Sequence, residues 1–357
     1  MNVYFYHTQD IQYILRRMDE GEFPPHYLYG ASKLPLHGIG VVWHKARLGL
    51  PRWRMMLRNA WQVLTCREPF DAIYATHYRG LELIVLLRAL GLYPKPVVIW
   101  HHQPVVRPAE HWREWLGRLF YRGLDRMFFF SQKLIDDSMA TGKADPGRMV
   151  LGHWGADLDF YDRVAAATAG EPRRGFVSTG KEMRDMPTLV SAFNATGAPL
   201  DIYVARVTGD ISYERVFGGL TLGPNIRLKF VERLIPYELS LIVARAECVV
   251  ICCQRTKYTV GLTTVVEAMA MGLPMICSRN PQIPVDIEKE GCGLCVDYGD
   301  VEGWQRAVDY MRSHPDEARA MGRRGRLLAE TTYNDTRCAA EVAKVLREAV
   351  DENRRRG

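Results

Sequence analysis

Gly261-Leu-Thr-Thr-Val-Val-Glu-Ala-Met-Ala-Met-Gly-Leu-Pro274 is the stretch on which the fold turns. It follows the apolar run Cys248-Val-Val-Ile-Cys-Cys253 after a polar loop, 254–260, and then opens a helix expected over 264–271. A continuous apolar run ahead of a glycine and a helix is the strand–turn–helix step of a parallel sheet buried on both faces. Gly261 permits close backbone approach, and Thr263 or Thr264 can cap the helix. The unpaired N–H groups and positive dipole end of such a helix make a site for phosphate. Glu267 lies one turn in. Thr264-Val-Val-Glu267 also has the spacing of a capping box, which calls for no ligand.

The same alternation extends in both directions. Val3-Tyr-Phe-Tyr6, Ala72-Ile-Tyr-Ala75, Val97-Val-Ile-Trp100 and Met127-Phe-Phe-Phe130 read as strands, with helical stretches near 51–66, 80–90 and 110–124 between them. After the turn-rich 163–175, expected to be an interdomain linker, come Gly175-Phe-Val-Ser178, Leu200-Asp-Ile-Tyr-Val204, Ile226-Arg-Leu-Lys-Phe230, Cys248-Val-Val-Ile-Cys252, Met275-Ile-Cys277 and Leu294-Cys-Val296. Helices are expected over 236–244 and 264–271, and a long one over 336–352. Two doubly wound α/β domains in series are expected to leave a cleft at the carboxyl ends of their strands, where open sheets bind ligands.

The chain of 357 residues is of a length for two such domains. With 47% hydrophobic and 25% charged residues it is neither disordered nor collagen-like. The net charge of +6 does not by itself argue for nucleic acid, and none is expected as a partner. Residues 81–100, the nearest approach to a membrane span, are broken by Glu82, Arg88, Pro94 and Lys95. No export signal is read at the start, so a cytoplasmic protein with its eight cysteines reduced is expected. Cys252-Cys253 reads as strand filling. Cys292-Gly-Leu-Cys295 lacks the second pair a zinc site needs, and reads as a glycine turn entering a strand.

Charge is uneven: residues 1–160 hold 20 Lys+Arg against 15 Asp+Glu, and the remainder 27 against 26. Within the basic half, Trp53, Leu57, Trp61 and Leu64 fall on one helical face beside Arg52, Arg54 and Arg58. Residues 51–66 are then either a core-facing helix with a solvated edge or an interfacial helix drawn to anionic lipid.

The segment containing Glu267-Ala-Met-Ala-x-Gly272-x-Pro274 resembles the donor-site signature of family 4 glycosyltransferases, enzymes of the GT-B fold. The resemblance is diffuse over most of the chain and strongest over 231–300. It includes the helix around Pro236-Tyr-Glu-Leu-Ser240, the turn Gly155-Ala-Asp157 and the strand Asp125-Arg-Met-Phe-Phe-Phe-Ser131. It implies two Rossmann-like doubly wound domains facing across a cleft. Residues 1–165 would be the acceptor domain and 166–339 the donor domain, with the helix over 340–357 packing back on the first.

By the same resemblance Glu267 binds both ribose hydroxyls of a nucleotide-sugar, and the amides of Gly261, Leu262, Thr263 and Thr264 lie alongside. The family's first glutamate, eight positions earlier, is missing. Thr259 stands there, or Tyr258 when aligned on Gly261, and no acid occurs over 254–266. Sugar recognition then falls to the backbone around Thr259–Leu262 or to other side chains.

The diphosphate needs cations, which the family supplies after the first strand of its second domain. Here the loop is Ser178-Thr-Gly-Lys-Glu-Met-Arg-Asp185, with Gly180, Lys181 and Arg184. Three residues apart on a turn, Lys181 and Arg184 can address one phosphate pair. Alternatively they are solvated charges partnered by Glu182 or Asp185. A histidine that faces the donor sugar in the family matches His102 or His101, with His102 favoured. A satisfied buried histidine is the other explanation.

Asp157-Leu-Asp159 mimics a metal-chelating DxD but lies at the domain junction. The GT-B fold does not require a metal, so none is expected, and no cofactor beyond the nucleotide-sugar, UDP-linked ahead of GDP-linked.

The resemblance thus implies a retaining transferase acting on a glycan or lipid-linked acceptor in surface polysaccharide or glycolipid assembly, cytoplasmic or peripheral on the inner face of the membrane. A nucleotide-sugar epimerase of the same shape, a catalytically silent subunit and a sugar-binding receptor are the competing explanations.

Overall fold

The computed structural model describes residues 1–106, 111–180, 182–232 and 235–356, and of 111–113 the backbone alone. The chain divides into two compact units. The first is Met1–Glu20, Pro25–Trp154 and Asp335–Gly357; the second is Gly21–Pro24 and Gly155–Asn334.

The first unit is built on six strands: β1 (Asn2–Tyr6), β2 (Gly40–Trp43), β3 (Ala72–Ala75), β4 (Val97–His101), β5 (Arg126–Phe129) and β6 (Met149–Leu151). They form a wholly parallel sheet in the order β2-β1-β3-β4-β5-β6. Every residue of β3 and β4 is buried, as expected where helices cover both faces of a central strand. The closing helix Asp335–Arg356 belongs to this unit. Its Glu352 pairs with Arg126, and its Asn353 accepts from Arg88, which also holds Asp125 at 2.8 Å.

The second unit has a six-stranded parallel sheet of β7 (Phe176–Ser178), β8 (Leu200–Val204), β11 (Ile226–Phe230), β12 (Cys248–Ile251), β13 (Met275–Ser278) and β14 (Gly293–Val296). Its order is β11-β8-β7-β12-β13-β14, and a small hairpin of β9 (Val207–Thr208) and β10 (Ile211–Ser212) stands apart. The central β7, β12 and β13 are buried throughout, whereas Ile226-Arg-Leu-Lys-Phe230 alternates as an edge strand does.

Three expectations are corrected. The junction lies at Trp154/Gly155, ahead of 165/166, and residues 163–167 complete the helix Leu158–Ala167 instead of forming a linker. Asp157 of the DxD-like turn caps that helix, accepting from the Phe160 N–H at 2.8 Å. The helix Arg52–Leu64 buries Asn59, Ala60 and Val63, while Trp53, Leu57, Trp61 and Leu64 face solvent, so this stripe does not face the core.

Candidate functional site

In the second sheet the chain winds from β7 through β8 to β11 in one direction, and from β12 through β13 to β14 in the other. The reversal between β7 and β12 opens the crevice where such sheets bind ligands. The two loops at this point, 179–185 and 252–261, are stitched together. Asp185 N–H donates to the Cys252 carbonyl at 3.0 Å, and Gln254 N–H to that of Met183 at 2.8 Å. Met183 is held at φ +48°, a strained conformation for a side chain of its size.

Arg184 sits inside this stitch and is only 4% exposed. Its Nε donates to the Thr179 carbonyl at 3.0 Å, and its Nη1 to the Glu182 carbonyl at 3.1 Å and Cys253 Sγ at 3.2 Å. Nη2 donates to Thr264 Oγ1 at 3.2 Å, and the Tyr213 hydroxyl accepts the Arg184 main-chain N–H at 2.9 Å. All these acceptors are neutral, since burial pushes the Cys253 thiol up against the pull of the guanidinium. Among the described residues no carboxylate pairs with Arg184. Asp185 instead caps the helix Met186–Thr196 through the Thr188 N–H and hydroxyl. The alternative in which Arg184 is a solvated charge partnered by the Glu182 or Asp185 side chain does not hold. Nor is Arg184 a free arm on a turn: it is built into the wall. A buried charge is normally paired, and the acceptors around this one carry no charge to pair with it.

Gly180, at φ +104°, makes room for it, because a Cβ there would lie 2.0 Å from Arg184 Nη2. Lys181 lies outside the described residues.

Thr264 joins the guanidinium to the helix Leu262–Ala270. Several helices here begin on a capping side chain, among them Asp10, Ser131, Asp157, Asp185, Ser212 and Asp300. This helix begins on Gly261, at φ +91°, with no side-chain cap. The capping box is thereby corrected: Thr263 and Thr264 lie inside the first turn, and Thr264 Oγ1 accepts from Arg184.

Leu262 N–H closes on the Thr259 carbonyl at 3.1 Å. The N–H groups of Gly261, Thr263 and Thr264 have no partner among the described residues. They and the dipole supply the equivalent of about half a positive charge beside Arg184. Glu267, half-buried, stands one turn beyond, on the helical face of Thr263 and Thr264.

Residues that sequence reasoning passed over shape this corner. Asn280 Nδ2 holds the 258–260 turn through the Tyr258 and Val260 carbonyls, and Ser278 Oγ accepts from Cys253 N–H at 2.9 Å. Only the polar end of β13, Ser278-Arg-Asn280, hinted at them.

In the first sheet the reversal falls between β1 and β3, and histidines follow each strand. His7 Nδ1 accepts from Gln9 N–H at 2.9 Å, and His77 Nδ1 from Arg79 N–H at 2.8 Å. Burial lowers both to about 4, with His102 adding to the effect. His101, at the end of β4, is buried and satisfied: Nδ1 donates to the Gln103 carbonyl and Nε2 accepts from the Tyr121 hydroxyl at 3.1 Å. His102 is half-exposed, donating from Nε2 to the Thr76 carbonyl at 2.9 Å. It lies 5.6 Å from the His77 ring and 5.8 Å from that of Tyr29, whose φ is +53°. Of the two registers, His101 is the buried one and His102 the more exposed. Among the described residues no group of three or more His, Cys, Asp or Glu is arranged to hold a metal ion.

Residues 186–328 match the family model described as Glycosyl transferases group 1, which takes in Gly261 and Glu267 and begins just past Arg184. MMP alpha-(1->4)-mannosyltransferase of Mycolicibacterium hassiacum is 22% identical over 332 residues, covering 85% of this chain and 76% of the relative. Sucrose-phosphate synthase from Thermosynechococcus elongatus has the same fold at a TM-score of 0.73 and 16% identity, over 97% of this chain and 98% of that one. Anabaena HepE, solved in complex with UDP-glucose, matches at 0.66 and 12% identity, over 98% and 100%. The fold is thus GT-B, and the family match and the relative support a GT-B glycosyltransferase.

Proposed function

We propose that this protein is a retaining glycosyltransferase that moves a sugar from a nucleoside-diphosphate sugar, UDP-linked ahead of GDP-linked, to a hydroxyl of a glycan or lipid-linked acceptor in surface polysaccharide or glycolipid assembly. One observation carries the reading: a buried guanidinium with no counter-charge among the described residues, next to an uncapped helix N-terminus, one turn from a carboxylate. A diphosphate answers the first two features, and the ribose role of the carboxylate is carried by the family resemblance.

In this reading the second unit holds the donor. Arg184 Nη2 and the N–H groups of Thr263 and Thr264 address the diphosphate, with Lys181 joining them. Glu267 accepts from the ribose, and Gly261 and Thr259 bring backbone close to the sugar. Leu262 contributes packing, since its N–H is already taken. As the bond from the anomeric carbon to the diphosphate oxygen breaks, negative charge grows on that oxygen. Fixed positive groups already aimed there stabilise it without reorganising. The acceptor oxygen forms its bond on the same face, and its proton passes to the departing oxygen, so no separate base is required. The first unit holds the acceptor, with His102 at its strand end as the side chain assigned to the chemistry. UDP bound by HepE supports a uridine donor by analogy.

Calorimetric titration with UDP, UDP-glucose, GDP and GDP-mannose tests this. One nucleotide should bind the intact protein. Glu267→Gln should weaken it by about 10–150-fold, the range for hydrogen bonds to a charged group, with little change in melting temperature. Unchanged binding by Glu267→Gln, or no binding of any nucleotide by the intact protein, refutes the reading. Binding with no nucleoside diphosphate released in the presence of glycan or lipid-linked acceptors would make this a silent subunit.

A further inference from the structure

We propose that the helix Arg52–Leu64 docks on an anionic lipid surface. Trp53, Leu57, Trp61 and Leu64 recur at helical spacing and fall within an arc of about 80° at 100° per residue. Their exposures are 57%, 50%, 69% and 55%. Two tryptophans this exposed on one helix, with Leu48 (66%) in the turn before it, make a contiguous apolar face instead of scattered surface residues.

The occupant is decided by charge. From His44 to Arg67 the chain carries Lys45, Arg47, Arg52, Arg54, Arg58 and Arg67 and not one acid. Arg52 is held by Glu82 at 2.8 Å. Arg54 and Arg58 fall along one edge of the stripe, the Arg54 guanidinium 5.0 Å from the Trp53 ring. With the stripe in the acyl boundary, tryptophans sit at headgroup depth and these arginines meet lipid phosphates. A second copy of the chain would offer the face six more cations and no acid to meet them. A neutral protein partner would leave the arginines unanswered.

This inference does not depend on the donor reading, and its test needs no sugar. The full protein is mixed with vesicles of phosphatidylcholine alone, or of phosphatidylcholine with phosphatidylglycerol, and sedimented. It should pellet with the mixed vesicles, with a blue shift in tryptophan fluorescence, and much less with the neutral ones. Raised salt should release it. Arg54→Gln and Arg58→Gln should each weaken binding about fivefold, the equivalent of about 1 kcal/mol per basic residue at an anionic surface. Trp61→Ser should weaken it about tenfold or more. Because Arg54 and Trp61 are largely in water, circular dichroism and nucleotide binding should stay unchanged in their variants, which separates lost docking from misfolding; Arg58 is half-buried, and its variant is scored only if its circular dichroism is unaltered. Equal binding to both vesicles, or indifference to all three substitutions, overturns the proposal. So does a dimer in solution that Trp61→Ser dissociates.

Discussion

Replacing Gly180 by alanine would put a methyl group where the Arg184 guanidinium lies. The added carbon would stand 2.0 Å from Nη2 and 2.6 Å from Cζ, far inside van der Waals contact, so the guanidinium must leave. It would give up its bonds to the Thr179 and Glu182 carbonyls, Cys253 Sγ and Thr264 Oγ1. The backbone at φ +104° adds strain of about 1–3 kcal/mol for any side chain. For a strain of about 2 kcal/mol the melting temperature should fall by about 4–8 °C. Affinity for the nucleoside diphosphate should fall further than that strain explains: a lost charge-assisted hydrogen bond is worth about 1.5–3 kcal/mol, or roughly 10–150-fold.

Gly197→Ala is the control, since Gly197 has φ +62° but nothing within 4 Å of its missing Cβ. It should cost about 1–2 kcal/mol of strain and leave binding alone. Arg184→Ala should bind as weakly as Gly180→Ala, and the double variant no more weakly, because one interaction is lost in all three. Calorimetry with UDP beside thermal melts measures this. If Gly180→Ala binds UDP as the unaltered protein does, or if Gly197→Ala loses as much, Arg184 is not the anion's partner.

Thr264→Asp would set a carboxylate where the hydroxyl now meets Nη2 at 3.2 Å, and in the first turn of a helix, where acids are favoured. Melting temperature should hold or rise while UDP binding drops about 100-fold or more, as expected when a fixed anion occupies the ligand's place; retained binding counts against the site. A second prediction concerns acid. Burial lowers His7, His44, His77 and His101 from 6.5 to about 4. Above 6.5 both folded and unfolded forms are neutral and nothing depends on pH. As pH falls below 6.5 the unfolded chain takes up protons that the native one refuses, so stability declines. Each histidine contributes up to about 1.4 kcal/mol per pH unit until the native groups protonate near 4. Urea unfolding at about pH 7 and about pH 5 should show that loss, lessened by His101→Gln; a flat profile refutes it.

How much of this was legible depended on whether a feature is local. Ala72-Ile-Tyr-Ala75 and Val97-Val-Ile-Trp100 announce central strands because burial on both faces needs an unbroken apolar run. Gly40-Val-Val-Trp43, which opens on a glycine, and the three-residue Met149-Val-Leu151 lie at the sheet's edges, only partly buried, and carry less of that signal. The small residues of Ala165-Ala-Ala167 suggest a linker, yet alanine is the best helix former and Asp157 caps the helix that they complete. Gly261 and Glu267 were readable for the same reason, since a turn glycine and a helix face are local patterns. Capping was misjudged because Thr263, Thr264 and Gly261 all suit a helix start, and only the path of the preceding loop decides among them. Tyr213 and Cys253 give no signal of these contacts, and Asn280 only the polar end of its strand. They meet Arg184 or brace its loops only once β7, β12 and β13 are side by side.

The burial of Arg184 among neutral acceptors fits the proposed anion site better than it fits stability alone. A protein selected for stability alone would give this guanidinium a carboxylate, since a buried charge held by neutral dipoles is a poor bargain. Two of the acceptors around it, Cys253 Sγ and Thr264 Oγ1, are side chains where an acid could have stood, and two acids, Glu182 and Asp185, are near it in sequence; one contributes its carbonyl, and the other caps a helix. The neighbouring helix starts on Gly261 with no side-chain cap, as the helices behind Pro51, Leu81, Ile235 and His314 also do, and the N–H groups it leaves open lie beside the same cation. Each omission lowers the stability of the empty protein, and each would be reversed by one doubly charged group in the crevice. A guanidinium with only neutral acceptors and an uncapped helix start at one switch point, both of positive sign, are the two features on which the proposed anion site rests.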